Sequence, residues 1–551
     1  MKRLALLASV LAAGGAFAQA DVKLAELERA ELRNAVRPGK PDGSGFWNRN
    51  AQWFMYPPAF NFDEVKGAKL YRFTVLDDWQ HAHVFYADSP KAPLTPVWEE
   101  IRTGFFTVLC DGMDARTNFV GAVCDGDAPV RPSYWKLAAF KPGAYGPAKR
   151  GYAEAAKKIY DFVFEKPSTR HFLETGKPDP GYVLNCYPSK IHSSLIEAMV
   201  RYAKLRPDRA ADALKLARNA ADYLLSLREP ADAPLAHFTP TYDPHPQYRK
   251  WCAEKYAGQT MLLYPASAGQ AFLSLAERTG EAKYKDAALK IADTYLKLQG
   301  ADGTWYLKLW LKDGKPVNEN RCFPLAVAEF LERAYAASGN AAYRAAADRA
   351  AAYVDRGPMA DFNWEGQFED VEPTKKYVNL TKHPAVSAAI YFLKRHPGDA
   401  KRKAEARELL RFAEDQFVLW ERPCRADGTG IRTGRPWYRP EDVTVDYLGW
   451  YVFPSATEQY HWNIPIDASS AKLIRGWLAT WKATGNPLDL AKARAFGDAL
   501  TRAQLDSGRI PTQMAEYNLK DAGGDWVNCI LAAARALELL AECEQAEGRT
   551  P

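Results

Sequence analysis

The chain has 551 residues, of which 25% are charged and 13% aromatic, and its formal net charge at pH 7 is +6. A chain of this length can bury a large core and is expected to form more than one domain. The positive charge forms no basic stripe, which argues against nucleic acid as a partner. The eight cysteines contain no CxxC pair, which argues against a structural zinc site. We therefore predict no metal or other cofactor, and the sequence does not indicate an oligomeric state.

The N-terminus has the pattern of a secretory signal peptide, assigned to residues 1–20. Lys2 and Arg3 supply the charged start, residues 4–13 the apolar core, and residues 16–18 or 18–20 a small-residue cleavage site. This apolar run is too short to cross a bilayer, and no other run is long and apolar enough. We expect a secreted or periplasmic protein without a membrane span.

Export also permits disulfide bonds. Cys110 and Cys124 fall in the same β-rich region and are the pair that we expect to be bridged. The other six cysteines are either bridged or buried as free thiols, and the sequence leaves both alternatives open.

Residues 37–141 read as strands. Residues 69–75, 83–86 and 104–109 combine alternating or continuous apolar and aromatic side chains, with turn residues between the runs. This texture predicts a small antiparallel β-sandwich-like domain. The Pro- and Gly-rich segment 142–147 is typical of a linker.

After the linker, the sequence pattern is typical of helices, and it extends through residues 148–551. Apolar residues recur there at steps of three and four positions. Helices are predicted at 148–165, 189–205, 208–227, 265–279, 281–299, 323–338, 340–355, 384–395, 399–420, 467–484, 487–505 and 525–546. The chain is therefore expected to be mainly α.

The helices repeat in pairs with a period of about sixty residues. Gly280, Gly339 and Gly485 each follow one helix, and Trp305 and Trp364 stand at the same distance after the first two of these glycines. Six such helical hairpins would close into an (α/α)6 toroid, in which inner helices line a cavity.

The long loops of such a toroid would meet at one mouth. Each joins an outer helix to the next inner helix, and long loops within a compact domain are usually functional. These loops are predicted at 166–188, 228–264, 300–322, 356–383, 421–466 and 506–524. The substrate cleft is therefore expected at this mouth.

The stretch 382–438 holds the side chains best suited to chemistry. His383 begins a helix, where the positive helix end favours a neutral imidazole that can accept a proton. Arginine can hold a carboxylate through two hydrogen bonds, and a phenol beside a cation loses its proton more easily. The loop that follows carries Arg422, Arg425, Arg432, Arg435, Trp437, Tyr438 and Arg439. Together these groups could remove the proton next to a uronic acid carboxylate.

The helical part resembles secreted (α/α)-barrel polysaccharide lyases, and in particular polysaccharide lyase family 38, whose members cleave alginate or β-1,4-glucuronan. The family's histidine, arginine and tyrosine have a spacing that fits His383, Arg432 and Tyr438. The resemblance implies β-elimination, in which Arg432 neutralises the C6 carboxylate and Tyr438 takes the C5 proton and returns one to O4. His383 would orient Tyr438 or act as the base. The β-rich region lies outside the resemblance as an extra N-terminal domain.

A second cluster follows at 363–370 and leaves a hydrolase open. Glu365 and Asp370 could act as the two carboxyl groups of an (α/α)6 glycoside hydrolase. In a lyase, Glu365 and Gln367 would instead bind sugar hydroxyls. Trp364 is a candidate for substrate binding, although its place in the repeat also predicts packing.

Further candidates for substrate binding lie on other long loops. Tyr460 and His461 are an alternative pair of residues for the role of catalytic base, and Trp462 could stack on a sugar ring. Tyr242 and His245 belong to a Pro- and Tyr-rich loop that is expected to form a wall of the cleft. Before another inner helix, Arg321 could bind a second uronate.

Three functions follow from these patterns. The first is a secreted lyase that cleaves an acidic, uronate-containing polysaccharide of the alginate or glucuronan type. The second is the hydrolase based on Glu365 and Asp370. The third is a protein that binds glycans without turnover. The sequence fixes neither the uronate and its linkage nor endo or exo action.

Overall fold

The structure is a computed structural model that describes residues 21–35, 50–51, 53–60, 62–125, 128–129, 133–243, 245–423, 426, 452–460, 462–514 and 525–547. The chain divides into two compact units. Unit 1 comprises Met1–Lys149, Lys376–Arg502 and Gln513–Lys520, and unit 2 comprises Arg150–Lys375, Ala503–Thr512 and Asp521–Pro551. Among the residues described, no helix has the length and apolar character that a membrane crossing requires.

Unit 1 begins with helix α1 (21–32) and a β-rich region. The elements of this region are β1 (Trp53–Phe54), β2 (Leu70–Asp77), β3 (Ala82–Ala87), α2 (Thr95–Trp98), β4 (Gly104–Met113), β5 (Phe119–Ala122), β6 (Cys124–Asp125), β7 (Ala128–Pro129) and β8 (Ser133–Lys136). The three predicted strand runs are confirmed as β2, β3 and β4.

These strands form one six-stranded sheet in the order β1-β8-β4-β2-β3, with β5 also paired to β4, and β6 and β7 form a separate ribbon. The pairing is antiparallel except between β1 and β8. Alternate residues of β2 and β4, such as Phe73 and Phe106, are buried, and Trp98 of α2 packs edge-on against Phe106. The described part of the region is thus one sheet covered by aromatic side chains, where two facing sheets were expected.

The rest of unit 1 is two helical hairpins joined by a small sheet. Helices α13 (Lys382–Arg395) and α14 (Ala400–Phe417) form the first hairpin, and α15 (Asp467–Thr484) and α16 (Pro487–Ala503) form the second. Between them lie β11 (Val418–Leu419), β12 (Ser455–Gln459) and β13 (Trp462–Pro465), in the order β11-β12-β13. Helix α13 packs against both α14 and α15, as an inner helix should.

Unit 2 continues the series of hairpins. Its elements are α3 (Tyr152–Glu165), α4 (Pro167–Thr175), α5 (Pro188–Leu205), α6 (Ala210–Ser226), α7 (Lys250–Lys255), β9 (Gln259–Met261), α8 (Tyr264–Thr279), α9 (Ala282–Leu298), β10 (Lys308–Trp310), α10 (Leu325–Ser338), α11 (Ala341–Arg356), α12 (Pro358–Asp361) and α17 (Val527–Ala546). Helices α17, α5, α8 and α10 contact one another in that order, and each also packs on an outer partner. The prediction of a mainly α chain built from helical hairpins is confirmed.

The repeat glycines end helices as predicted. Gly280, Gly339 and Gly485 follow α8, α10 and α15 with φ of 75°, 76° and 72°. This left-handed conformation closes a helix and is unfavourable for residues that carry a Cβ. The repeat read from the sequence is therefore a repeat of the backbone.

Two sequence expectations about the β-rich region have different outcomes. Cys110 is a free, buried thiol, so the predicted bridge to Cys124 is not formed in this structure. The proposed division into residues 37–141 and 148–551 remains a prediction. The β-rich residues belong to the same compact unit as the hairpins of residues 376–502.

Candidate functional site

His383 lies in the first turn of α13, as the sequence predicts, and is half-buried. The start of this helix is fixed by its neighbours. The ammonium of Lys382 donates to the carbonyl oxygens of Thr457 (2.6 Å) and Glu458 (2.8 Å), and the Thr381 hydroxyl donates to Glu458 (2.8 Å). Because Lys382 is fully buried, these bonds hold the helix start firmly against β12.

The proposed partners of His383 lie elsewhere in the chain. Arg432, Tyr438 and His461 fall outside the described residues. Trp462 belongs to β13, and its side chain is also outside the description. Their roles remain predictions.

Tyr460 is described and is only 6% exposed. Its hydroxyl donates to the Gln416 side chain (2.8 Å), and its ring stacks on Phe417. These contacts give Tyr460 a packing role at the end of α14.

In unit 2, two carboxylates occupy the tip of a tight turn, here called the acidic turn (Phe368–Val371). Phe368 and Val371 exchange backbone hydrogen bonds of 3.0 and 3.2 Å, which places Glu369 and Asp370 at the two corner positions. Glu369 is buried and Asp370 is exposed. The same loop was predicted from the sequence as a site, with Glu365 as the partner of Asp370.

Glu369 is held by side chains from two inner helices. Lys190 of α5 contacts one carboxylate oxygen at 2.5 Å, and the Tyr264 hydroxyl of α8 donates to the other at 2.6 Å. Tyr242 donates to the backbone oxygen of Glu369 (2.6 Å). Burial alone would raise the pKa of Glu369, but the charge and hydrogen bond of Lys190 bring that pKa below its usual value. Glu369 is therefore an ionised, fully engaged carboxylate.

Asp370 has the opposite electrostatic setting. Its side chain is exposed to solvent, although neighbouring protein atoms still desolvate the carboxyl group. Desolvation and the adjacent charge of Glu369 raise the pKa of Asp370. Neighbouring carboxyls whose pKa values are pushed apart are typical of acid–base sites.

Aromatic and cationic groups surround the acidic turn. Tyr242 and Tyr256 stack with ring centroids 4.2 Å apart, and the Lys308 ammonium lies 4.5 Å from the Tyr256 ring centre while pairing with Glu372 at 2.5 Å. Desolvation raises the pKa values of Tyr187, Tyr242 and Tyr256. These phenols therefore stay protonated, and Tyr242 donates to the backbone oxygen of Glu369.

The hydroxyl of Tyr256 is buried, and no hydrogen-bond partner is found for it within the described ranges. The Tyr187 hydroxyl is also buried, but it packs in the same cluster as the Cys252 thiol and interacts with it. Buried polar groups are rarely left without a partner, so the Tyr256 hydroxyl retains an unused donor.

The other predicted residues of this loop stabilise it. Trp364 is 0% exposed and packs edge-on against Phe323 and Phe362, so its ring offers no face to a sugar in this structure. Glu365 is 5% exposed. The Gln367 side chain accepts a hydrogen bond from the backbone N–H of Phe323 and donates one to the backbone carbonyl of Arg321, both at 2.7 Å.

Arg321 also has partners within its own loop. Its guanidinium lies 3.2 Å from the Asp302 carboxylate and 3.9 Å from the ring centre of Tyr306. The predicted role of Arg321 in binding a second uronate remains a prediction.

His245 faces a separate cleft on unit 2, here called the rim cleft, with a volume of 660 Å³. The cleft lies between α4, the end of α6 and the loop after Asp243. Its lining includes His171, Lys177, Asp222, Tyr223, His245 and Tyr248. His245 is exposed there, and its predicted place in a wall of the substrate cleft remains a prediction.

Several residues of the acidic site were not singled out from the sequence. They are Tyr187, Lys190, Tyr256, Tyr264 and Glu369. One signal was available: Lys190 and Tyr264 stand in the first turn of an inner helix, as His383 does. The first turns of inner helices thus deserve the same weight as the long loops before them.

Comparison with known proteins gives similarity in structure only. No family model matches the chain, and no curated protein matches it significantly. A family 76 glycoside hydrolase from a bovine Bacteroides thetaiotaomicron strain matches with 12% identity, 87% coverage of this chain, 93% of the other and a TM-score of 0.45. Cellobiose 2-epimerase from Spirochaeta thermophila matches with 14% identity, 72% coverage of this chain, 97% of the other and a TM-score of 0.48. For a polysaccharide lyase these values are 10%, 87%, 62% and 0.43. At such low identities and TM-scores, these similarities assign neither a family nor an activity.

Proposed function

We propose that the protein is a glycan-processing enzyme, and specifically an exported lyase that cleaves a uronate polysaccharide of the alginate or glucuronan type by β-elimination. The observation that carries the proposal is the position of His383 in the first turn of α13. The positive end of the helix favours a neutral imidazole there, and a neutral imidazole can accept a proton or orient a base.

The remaining steps of the proposed reaction are assigned to Arg432 and Tyr438, which lie outside the residues that the structure describes. Arg432 would hold the C6 carboxylate, which makes the C5 proton more acidic. Tyr438 would remove this proton and protonate the leaving O4. The buried phenols of unit 2 have raised pKa values. A tyrosine base therefore needs a nearby cation, and Arg432 meets that need in the proposal.

A hydrolase is the second candidate, and the raised pKa of Asp370 favours it as a proton donor. A glycosidase also needs a second carboxyl that can reach water or the anomeric carbon. Glu365 is 5% exposed, and both carboxylate oxygens of Glu369 are engaged by Lys190 and Tyr264. Of Glu365, Glu369 and Asp370, only Asp370 is thus accessible, which is why elimination is preferred.

In the elimination reading, the acidic site binds sugar. Asp370 is exposed and offers an acceptor to a sugar hydroxyl, and the buried, stacked rings of Tyr242 and Tyr256 support the loops around it. The acidic polysaccharide itself is the only partner that the proposal requires.

The test is incubation with polymannuronate, glucuronan, pectate and neutral glycans while ultraviolet absorbance and reducing ends are recorded together. Elimination produces an unsaturated uronate, so both signals should rise on at least one uronate. His383→Ala should abolish the rise, and His396→Ala, at the exposed far end of the same helix, should leave it unchanged. Reducing ends without ultraviolet absorbance would instead support the hydrolase, and binding without either signal would support a non-catalytic glycan-binding protein.

A further inference from the structure

Two cysteines of unit 2 that are distant in sequence lie side by side. The sulfur of Cys252 is 4.0 Å from the carbonyl oxygen of Cys186, across a separation of 66 residues. The two thiols are close enough to shift each other's pKa. Both are free in this structure and almost fully buried, with exposures of 1% for Cys186 and 0% for Cys252.

Independent contacts keep the two segments in place. The backbone N–H of Asp243, in the same long loop as Cys252, donates to the Cys186 carbonyl at 2.9 Å. Both cysteines belong to one apolar cluster that also contains Tyr187, Tyr242 and Tyr256. The packing of two chain segments therefore brings the two cysteines together.

We propose that Cys186 and Cys252 form a disulfide bond in the exported protein. The proposal rests on export, which gives access to an oxidising compartment, and it does not depend on the lyase reaction. The bond would join Cys186, just before the start of α5, to Cys252 in α7. Helix α7 belongs to the same long loop as Tyr242. The bond would tie together two walls of the acidic site.

The chemistry needs an external disulfide, such as oxidised glutathione or the disulfide of a thiol oxidoreductase. The Cys252 thiolate attacks this disulfide, forms a mixed disulfide and releases one thiol. The Cys186 thiolate then attacks Cys252 in the mixed disulfide and releases the second thiol. Overall, two protein thiols lose two electrons and two protons, which the external disulfide accepts.

The electrostatics fit this order of attack. The hydrogen bond from Cys186 lowers the pKa of Cys252, while the same bond and desolvation raise the pKa of Cys186. Whenever the two segments are packed together during folding, Cys252 is thus the better first nucleophile. Because both thiols are buried in the folded protein, the bond would form while the loops are still opening and closing during folding.

The length of the loop that the bond closes indicates two effects on the protein. A link across 66 residues removes many conformations from the unfolded chain, which stabilises the folded state. It would also keep Tyr187 and Tyr256 in position when the acidic site is empty. A preorganised site binds its ligand more tightly than one that must be ordered on binding.

The experiment refolds the purified chain in a glutathione redox buffer, blocks remaining thiols with an alkylating reagent, and maps peptides without reduction. The expected result is a single cross-linked peptide pair that contains Cys186 and Cys252, lighter by two hydrogens than the separate peptides. Reduction should lower the midpoint of thermal unfolding by several degrees in the wild type, but not in a Cys186→Ser/Cys252→Ser variant. Cys322→Ser, at another buried free thiol of unit 2, should leave the cross-link intact.

The contrary outcomes are distinct. Complete alkylation of both cysteines after refolding would overturn the proposal, as would a cross-link from Cys186 to another cysteine such as Cys529. The same peptide map of protein taken from an oxidising expression compartment tests the role of export separately. Loss of the proposed lyase activity on every uronate would leave these results unaffected, because none of them measures turnover.

Discussion

Glu369 shows how single contacts define the acidic site. A buried carboxylate is unfavourable unless its charge is matched, and Lys190 matches it at 2.5 Å. The partner lies 179 residues away in the sequence. The ion pair therefore fixes the acidic turn to the start of α5, and it orients Asp370 next to it.

We predict that Lys190→Met destabilises the protein by about 3–5 kcal/mol, because Glu369 would remain buried without its cation. Urea unfolding followed by tryptophan fluorescence would measure this. Lys204→Met, at the exposed end of the same helix, should change stability by less than about 0.5 kcal/mol. Equal effects of the two substitutions would show that the ion pair has no structural role.

Asp370→Asn separates the two candidate reactions. If Asp370 only binds a sugar hydroxyl, its loss should raise KM by an amount equivalent to about 1.5–3 kcal/mol with little change in kcat. If it is the general acid of a hydrolase, kcat should fall by about 100-fold or more. Steady-state kinetics on the active uronate distinguish these outcomes, and the elimination account requires the first.

At this scale the sequence was informative about position but not about partners. His383 at a helix start could be read from His383-Pro384 and the apolar periodicity that follows. The choice between Glu365 and Glu369 could not be read, because it depends on the hydrogen bonds of the acidic turn and on a lysine in a distant helix. Trp364 stood in a repeat position, and burial accounts for it.

Helix α1 is attached to unit 1 through buried charges. Glu28 is 2% exposed and lies 2.6 Å from the Lys492 ammonium, which also contacts Glu414 at 2.8 Å. Two carboxylates thus share one cation. Burial raises the pKa of Glu28 to about 7, against the opposing charge of Lys492.

This arrangement predicts a specific dependence of stability on pH. Because the folded pKa of Glu28 lies above its ordinary 4.5, the folded state binds more protons than the unfolded state between about pH 4.5 and 7. The contribution of Glu28 to stability should therefore be greatest below this window and decline as the pH rises through it. Chemical unfolding at several pH values should show the decline, and Glu28→Gln should make it shallower. An unchanged slope in the variant would contradict the assignment.

The helical hairpins also make a prediction about loop glycines. Gly303 has φ of 94°, and a Cβ added there would lie 2.4 Å from the Arg349 carbonyl oxygen. Gly280 has φ of 75° with nothing within 4 Å of an added Cβ. Gly280→Ala should therefore cost only the conformational penalty, about 1–2 kcal/mol, while Gly303→Ala should cost clearly more. Thermal unfolding of the two variants would test this order.

The sequence predicted the positions of the helices better than it predicted single contacts or the pairing of strands. Helix periodicity and the repeat glycines place α8 at 265–279, and the structure has Tyr264–Thr279. The sheet was harder, because strand pairing joins distant residues. Trp53 of β1 pairs in parallel with Trp135 of β8, and no local pattern reports that partner. An expected pair of facing sheets thus becomes one six-stranded sheet.

At the scale of the whole molecule, export is the first claim to test. A signal peptide over residues 1–20 predicts that the mature chain begins near Asp21. Mass spectrometry of the N-terminus after expression in a secreting host would measure this. A mature protein that retains Met1 and its apolar segment would contradict export and weaken the basis of the proposed disulfide.

The central claim concerns how a glycosidic bond is broken, and the masses of the products test it most directly. Elimination adds no water, so the masses of the two fragments from a defined uronate oligosaccharide should sum to the mass of the substrate. Hydrolysis adds one water for each bond cleaved. The account predicts fragments without added water, one of them an unsaturated uronate, and their disappearance in His383→Ala. Fragments whose masses together exceed the substrate by one water would contradict it.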